Sequence, residues 1–485
     1  MVFLRIGLFL LAFLFSVSGQ SDSSHIRLPT LGESGSTTVL TREEFLLGRA
    51  WLGAYRSRVP VHEDPLLQSY IERLTRDLAI NSPLSSTPLE LVVVKNPNLN
   101  AFAVPGGVIG IHTGLLLQAG DEHQMASVLG HELAHLSQRH YSRSVEAGKS
   151  RTLPTLAGML AGLVLAATTG SDAGLAAITA TQAAALDKRL HLSRQNEREA
   201  DRIGLKILYD AGFDPQGASR MFEQMQRSLR FAGQRPPEFL LTHPITESRI
   251  ADAQQRANQY RQKHYQHSLV YQFMQARVML AHSANPQQAI KRFQAELESS
   301  KLNPQAAQYG LTLALIDARQ WSEAETHLAS LQTIKDNDSS LELMISLAKA
   351  DILTGKGKFK AAEALLVEHY KKTPDNYPLA MALSRAYETS RNYSSAEKLL
   401  KDLTLQRPTD PFVWYHLAEV RGLLGNILGV HTARAEYFIL SGSFTQASKQ
   451  LKFGLKLSKN NPREKAILEE RLKQIGKQKS LIEKL

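Results

Sequence analysis

Apolar residues recur at helical spacing through most of the chain, and one short stretch breaks that rhythm. Thr41, followed by Glu44, opens a run through Leu46, Leu47, Ala50 and Tyr55 that reads as a capped helix. A second run starts at Asp64 and continues through Leu67, Tyr70, Ile71, Leu74 and Leu78, until the polar, proline-containing residues 81–88 end it. Residues 89–94 are short and β-branched and read as a strand; 100–104 and 108–112 are further strands around the turn Pro105-Gly106-Gly107. Asp121 then caps another helix. Gln124 completes a capping box, and Met125, Val128, Leu129, Leu133 and Leu136 form the apolar stripe. This half should therefore be mostly helical with one small sheet.

From about residue 270 to 457 the pattern changes to repeated helix pairs. An aromatic-x-x-Ala signature recurs at Trp321, Phe359, Tyr393 and Phe444, separated by 38, 34 and 51 residues, and Pro374 and Pro408 are also 34 apart. A period near 34, with small residues where helices cross and proline at repeat ends, is the tetratricopeptide pattern, so four to five repeats should stack into an all-α solenoid. At the other end of the chain, Arg5 precedes an apolar run over 6–15 and then Ser16, Val17, Ser18 and Gly19. That run is too short for a bilayer, which needs about 20 apolar residues, and reads as a cleaved signal peptide over 1–19, with export to a periplasm expected. Residues 20–40 read as a flexible leader, 41–265 as one domain and 266–485 as the repeat domain. Within the first, 153–186 is rich in Ala, Gly, Leu and Thr, with Gly158 and Gly162 at four-residue spacing. It reads as a mobile lid or a membrane-contacting hairpin in preference to a true span.

Composition narrows the chemistry. Among 485 residues there is no cysteine, which excludes disulfide frameworks, thiolate zinc fingers and cysteine nucleophiles, so a metal site must use His and carboxylates. The net charge of +11 is uneven: from Ser268 onward 30 Lys and Arg face 22 Asp and Glu, which places +8 there. Lys alternates with Glu at helical spacing in that region, as on a solvated helical face, and attraction to an anionic partner such as a membrane surface, nucleic acid or acidic protein is the functional alternative, with peripheral membrane contact kept open. No base-reading module is visible, so no nucleic acid is expected as a partner.

The strongest chemical signal is His131-Glu132-Leu133-Ala134-His135. Residues four apart share one helical face, so both imidazoles can reach one ion, while Glu132 lies off that face and can serve as general base. A catalytic zinc needs a third protein ligand. Further on, Glu197 and Asp201 again lie four apart: Glu197 can complete the set, and Asp201 can accept the distal N–H of a ligand histidine and fix its tautomer. His140 and His191 flank these helices without a partner spacing and receive no role. The spacing provides for one divalent ion per chain.

H-E-x-x-H followed by E-x-x-x-D, with Ala200 before Asp201, is similar to the gluzincin metallopeptidases of the HtpX and CAAX-prenyl-protease type. The resemblance extends over about residues 43–253 and includes residues 100–107 and Thr242-His243-Pro244 with Arg249. It implies an α+β gluzincin-like peptidase domain, one Zn2+ per chain as the cofactor, His131, His135 and Glu197 as ligands, Glu132 as base and Asp201 as their support. It further implies that Asn100, Ala101, Phe102 and Ala103 form an edge strand for extended substrate. His243 could donate to the oxyanion, occupy the fourth coordination position, or be structural, and Arg249 could help with substrate or oxyanion or, in preference, anchor its loop. With a signal peptide and a repeat domain, the chain resembles members that act in outer-membrane protein quality control. That implies a zinc endopeptidase and chaperone for unfolded or misassembled outer-membrane proteins, with the repeats docking substrate or assembly machinery. The alternatives are a binding scaffold with a silent peptidase domain and an integral membrane metallopeptidase.

Overall fold

The computed structural model describes residues 36–84, 88–147, 183–231, 237–261, 263–299, 302–331 and 338–482. The signal peptide, most of the leader and residues 153–182 of the Ala/Gly-rich segment lie outside these. Among the described residues no helix is long and apolar enough to cross a membrane.

Helix α1 (Ser36–Arg56) begins before Thr41, so residues 36–40 belong to it and not to a flexible leader, and Thr41 is interior to the helix instead of its cap. A β-branched residue inside a helix costs only about 0.5 kcal/mol, so Thr41 does not stop it. Helix α2 (Pro65–Ile80) is capped by Asp64, which accepts from the N–H groups of Leu66 and Leu67. Three strands follow, β1 (Glu90–Val94), β2 (Ala101–Val104) and β3 (Val108–His112), in the spatial order β1-β3-β2. β3 is central and buried throughout, parallel to β1 and antiparallel to β2, which leaves β2 at one border of the sheet. Helix α1 crosses the β2–β3 turn so closely that a Cβ on Gly48 would sit 2.3 Å from the Pro105 carbonyl oxygen and one on Gly106 2.5 Å from that of Glu44. Only glycine fits at both places. Trp51 and Tyr55 stack at 4.7 Å between centroids, with Phe102 edge-on to both.

After the short α3 (Thr113–Gln118), helix α4 (Glu122–Ser137) runs through the core, buried along nearly its whole length. Asp121 caps it through the Gln124 N–H at 2.8 Å. The Gln124 side chain reaches back one residue further than a capping box requires, to the N–H of Gly120. Helix α5 (His140–Ala147) follows a break at Arg139, whose φ is 50°. Helix α6 (Ala183–Asp210) packs along α4 with Gly130 against Gly204, and its first residues include the end of the Ala/Gly-rich segment. Helices α7 (Gln216–Phe231), α8 (Glu238–Thr242) and α9 (Glu247–Ala257) close this half.

The second half comprises twelve helices among the described residues: α10 (Leu269–Ala281), α11 (Pro286–Ser299), α12 (Pro304–Asp317), α13 (Trp321–Leu331), α14 (Ser339–Gly355), α15 (Phe359–Lys372), α16 (Tyr377–Thr389), α17 (Tyr393–Gln406), α18 (Pro411–Leu423), α19 (Ile427–Leu440), α20 (Phe444–Leu457) and α21 (Pro462–Ile482). They make six successive pairs, more than the four to five repeats expected. The 51-residue gap is one repeat of 34 plus one further helix: α19 begins at Ile427, 34 residues after Tyr393, with Ile and Val in place of the aromatic and Ala. The solenoid curls back onto the first half. Arg277 meets Asp64 at 2.7 Å, Arg407 grips Glu72 through two bonds of 2.9 and 2.6 Å, and His416 meets Glu63 at 2.8 Å. The far end of α1 packs on α19 and α21, with Gly53 against Gly442.

Candidate metal centre

Helix α4 presents His131 and His135 one turn apart, α6 presents Glu197, and the residue following α8 is His243; one donor atom from each lies within 4.8 Å of the others. The separations are informative. His131 Nε2 is 3.0 Å from His135 Nε2, 3.3 Å from His243 Nδ1 and 3.4 Å from Glu197 Oε2; Glu197 Oε1 is 3.3 Å from His135 Nε2 and 3.1 Å from His243 Nδ1. Four donors at about 2.0 to 2.1 Å from a tetrahedral ion stand roughly 3.3 to 3.4 Å apart. With Glu197 Oε1 as its single donor, four of the six edges of such a tetrahedron measure 3.0 to 3.3 Å, somewhat tighter than that figure, so the cluster has the donor types and about the size for a divalent cation such as zinc.

The surroundings set the charges. Burial works against protonation of His131, but Asp201 and Glu197 outweigh it and raise its pKa to about 10, whereas burial lowers His135 to about 3. Burial also opposes ionisation of Glu197, and the three imidazoles nonetheless hold its carboxyl well below the usual range. Asp201 Oδ1 lies 3.0 Å from His131 Nδ1. Arg249 donates to both Asp201 oxygens at 2.7 Å, to Glu197 Oε2 at 3.0 Å and to the Pro244 carbonyl at 2.7 Å. It thus ties the His243 loop to Asp201 and Glu197. Thr246 caps α9 through the Arg249 N–H and fixes where that guanidinium starts.

Glu132 is buried, and its Oε1 has no hydrogen-bond partner and lies 3.5 Å from His243 Nε2. An orphaned carboxylate oxygen beside the donor cluster is what a base awaiting a water would look like. Burial raises its pKa, offset in part by the imidazoles and by an N–H from Ala103 of β2.

The four strand residues separate into two groups. The Asn100 carbonyl accepts from the His112 N–H, so Asn100, Phe102 and Val104 turn their main chain toward β3, while Ala101 and Ala103 turn theirs to the open border. The Asn100 side chain donates to Glu238 of α8 at 3.0 Å, and the Phe102 ring lies over Gly110 within the aromatic cluster. Sequence reasoning missed His140 and Glu199. His140 is buried, with Nδ1 2.9 Å from His135 Nδ1 and Nε2 3.1 Å from Glu199 Oε2. The sequence offers a histidine five residues after His135 and a carboxylate two after Glu197, but neither spacing shares a helical face with the ligands, so it gives no signal by itself.

Residues 65–257 match peptidase family M48 and residues 353–420 match the tetratricopeptide repeat. The β-barrel assembly-enhancing protease of Yersinia pestis is 34% identical over 422 residues, 87% of this chain and 85% of that protein. Its counterpart in Escherichia coli K12 is 33% identical over 437 residues, 88% of each chain. The mitochondrial metalloendopeptidase OMA1 of Saccharomyces cerevisiae is 33% identical over 193 residues, 38% of this chain and 52% of its own. With likeness of that extent running through both halves, the chain belongs to the β-barrel assembly-enhancing protease family and is an M48 metalloendopeptidase with C-terminal tetratricopeptide repeats.

Proposed function

We propose that this chain is an exported, periplasmic zinc endopeptidase and chaperone that clears unfolded or misassembled outer-membrane proteins, with the solenoid docking substrate or assembly machinery. The printed names of its relatives and the repeats support that reading. The observation that carries the chemistry is the set of four donor separations of 3.0 to 3.3 Å among His131 Nε2, His135 Nε2, His243 Nδ1 and Glu197 Oε1. His131, His135 and Glu197 hold the ion. A zinc ion there would polarise a scissile carbonyl and acidify water toward a pKa of about 7. Glu132 takes the proton from the attacking water at Oε1 and delivers it to the leaving amine, a task favoured by its burial-raised pKa. Asp201 holds His131 in the tautomer that leaves Nε2 free. An extended substrate adds beside β2 through the main chain of Ala101 and the Ala103 carbonyl, the Ala103 N–H being taken by Glu132, and this demands little of its sequence. His243 Nδ1 stands at the fourth corner, so its loop closes the site at rest and must withdraw before substrate enters.

The test is metal analysis and casein degradation on the parent, Glu132→Gln and His243→Ala. Zinc retained and cleavage lost in Glu132→Gln is expected, and equal cleavage would refute the base. His243→Ala should alter cleavage; an unchanged rate removes its regulatory role.

A further inference from the structure

The two zinc-facing imidazoles stand on different supports. His131 rests on Asp201, as the spacing suggests. His135 rests on another histidine. His140 is 3% exposed, its ring is 4.8 Å from that of His135 and nearly perpendicular to it, and both its nitrogens are engaged. If Nε2 of His135 faces the ion, its proton sits on Nδ1, and the direction of every bond follows. His135 Nδ1–H donates to the lone pair on His140 Nδ1, and His140 Nε2–H donates to Glu199. Arg143 Nη1, 3.4 Å from Glu199 Oε2, completes the row at the surface. Helix α5 is held in place for this by Glu44, which accepts from Arg139 at 2.7 Å and Ser142 at 2.6 Å.

We propose that His140 is a positioning residue for the metal centre: it fixes the tautomer and ring orientation of His135 by accepting its Nδ1–H and passes the polarisation to Glu199. This rests on the reading of His131, His135 and Glu197 as ligands. Such outer partners typically change metal affinity 10- to 100-fold. The geometry offers a sharp test, because asparagine and glutamine mimic different nitrogens of histidine. His140→Asn keeps an acceptor where Nδ1 stands; His140→Gln keeps a polar group only toward Glu199.

The experiment uses the full chain and measures Zn2+ affinity by competition with a chromophoric chelator, together with the visible spectrum of the Co2+-substituted protein. His140→Gln should bind Zn2+ about 10- to 100-fold more weakly with an altered cobalt spectrum, while His140→Asn, which loses only the link to Glu199, should weaken binding no more than severalfold and keep the parental cobalt spectrum. Equal affinities for the two variants, whether both weak or both unchanged, would overturn the proposal, since a residue that only fills space does not distinguish them. Glu199→Gln, at a half-exposed position, provides the second measurement should His140→Gln not fold: severalfold weaker Zn2+ binding supports the row, and parental affinity refutes it. Glu197→Ala separates the two levels of failure. If it binds Zn2+ like the parent, the ligand reading itself is wrong; if it loses the metal while the His140 and Glu199 variants match the parent, only the relay is wrong.

Discussion

The two halves of the molecule hold together in different ways. In the solenoid each helix packs chiefly on its sequence neighbours, so α17 needs only α16 and α18. In the peptidase half, the donor cluster joins residues 46 and 112 positions apart, and one guanidinium, Arg249, touches Asp201, Glu197 and Pro244 together. Local stacking confines damage to one repeat; convergence spreads it. The difference shows why a short motif can identify the enzyme while its tuning depends on residues scattered through the chain.

This contrast can be broken at several points. The largest effect should come from Glu132→Gln, which removes the proposed base without touching the proposed ligands: peptide cleavage should fall by about 10³-fold, with metal content and thermal unfolding unchanged. In the solenoid, Leu400→Ala truncates a fully buried side chain of α17 and should cost about 2 to 5 kcal/mol. If the halves differ as described, hydrolysis of a short peptide will persist in that variant under conditions where denaturant already loosens the repeats. Asp64→Asn tests the joint between them. Asparagine still caps α2, so the loss of about 2 kcal/mol expected from the missing bond to Arg277 isolates the charge. Burial opposes ionisation of Asp64, but Arg277 holds its pKa below the ordinary value. The stabilisation is thus present above the usual aspartate range and lost as pH falls through the depressed value, and urea midpoints against pH should show a steeper acid-side decline in the parent than in the variant. The smallest effect is Asn376→Ala, which removes the cap of α16 and should cost about 1 kcal/mol by denaturant titration, with no change in metal binding.

Much of this architecture is legible from residue order. The strand boundaries, the capped catalytic helix and the 34-residue period are all written in local patterns, and the i, i+4 spacings of His131 with His135 and Glu197 with Asp201 translate directly into shared faces. His140 is not legible in this way. On an unbroken helix a residue five positions after His135 points to a different side. Only the left-handed turn at Arg139, held by a carboxylate 95 residues earlier, brings it back beside the ring. The signature expected between Tyr393 and Phe444 is similarly obscured, because Ile427 and Val430 stand where an aromatic and an alanine would be sought, with Ile427 largely exposed. Why α1 starts by Ser36 is a matter of helix continuation, which weak propensities specify poorly.

Helix α1 reaches the start of α5 through Glu44 at one end and the last repeats at the other. Dissecting the gene at the boundary between the halves would therefore leave each fragment with a raw surface: the peptidase with stranded carboxylates at Glu63 and Glu72, the solenoid without the rod that seats Gly442. Activity assays on an isolated peptidase fragment would report on a wounded molecule, and comparisons are better made on the intact polypeptide carrying point changes.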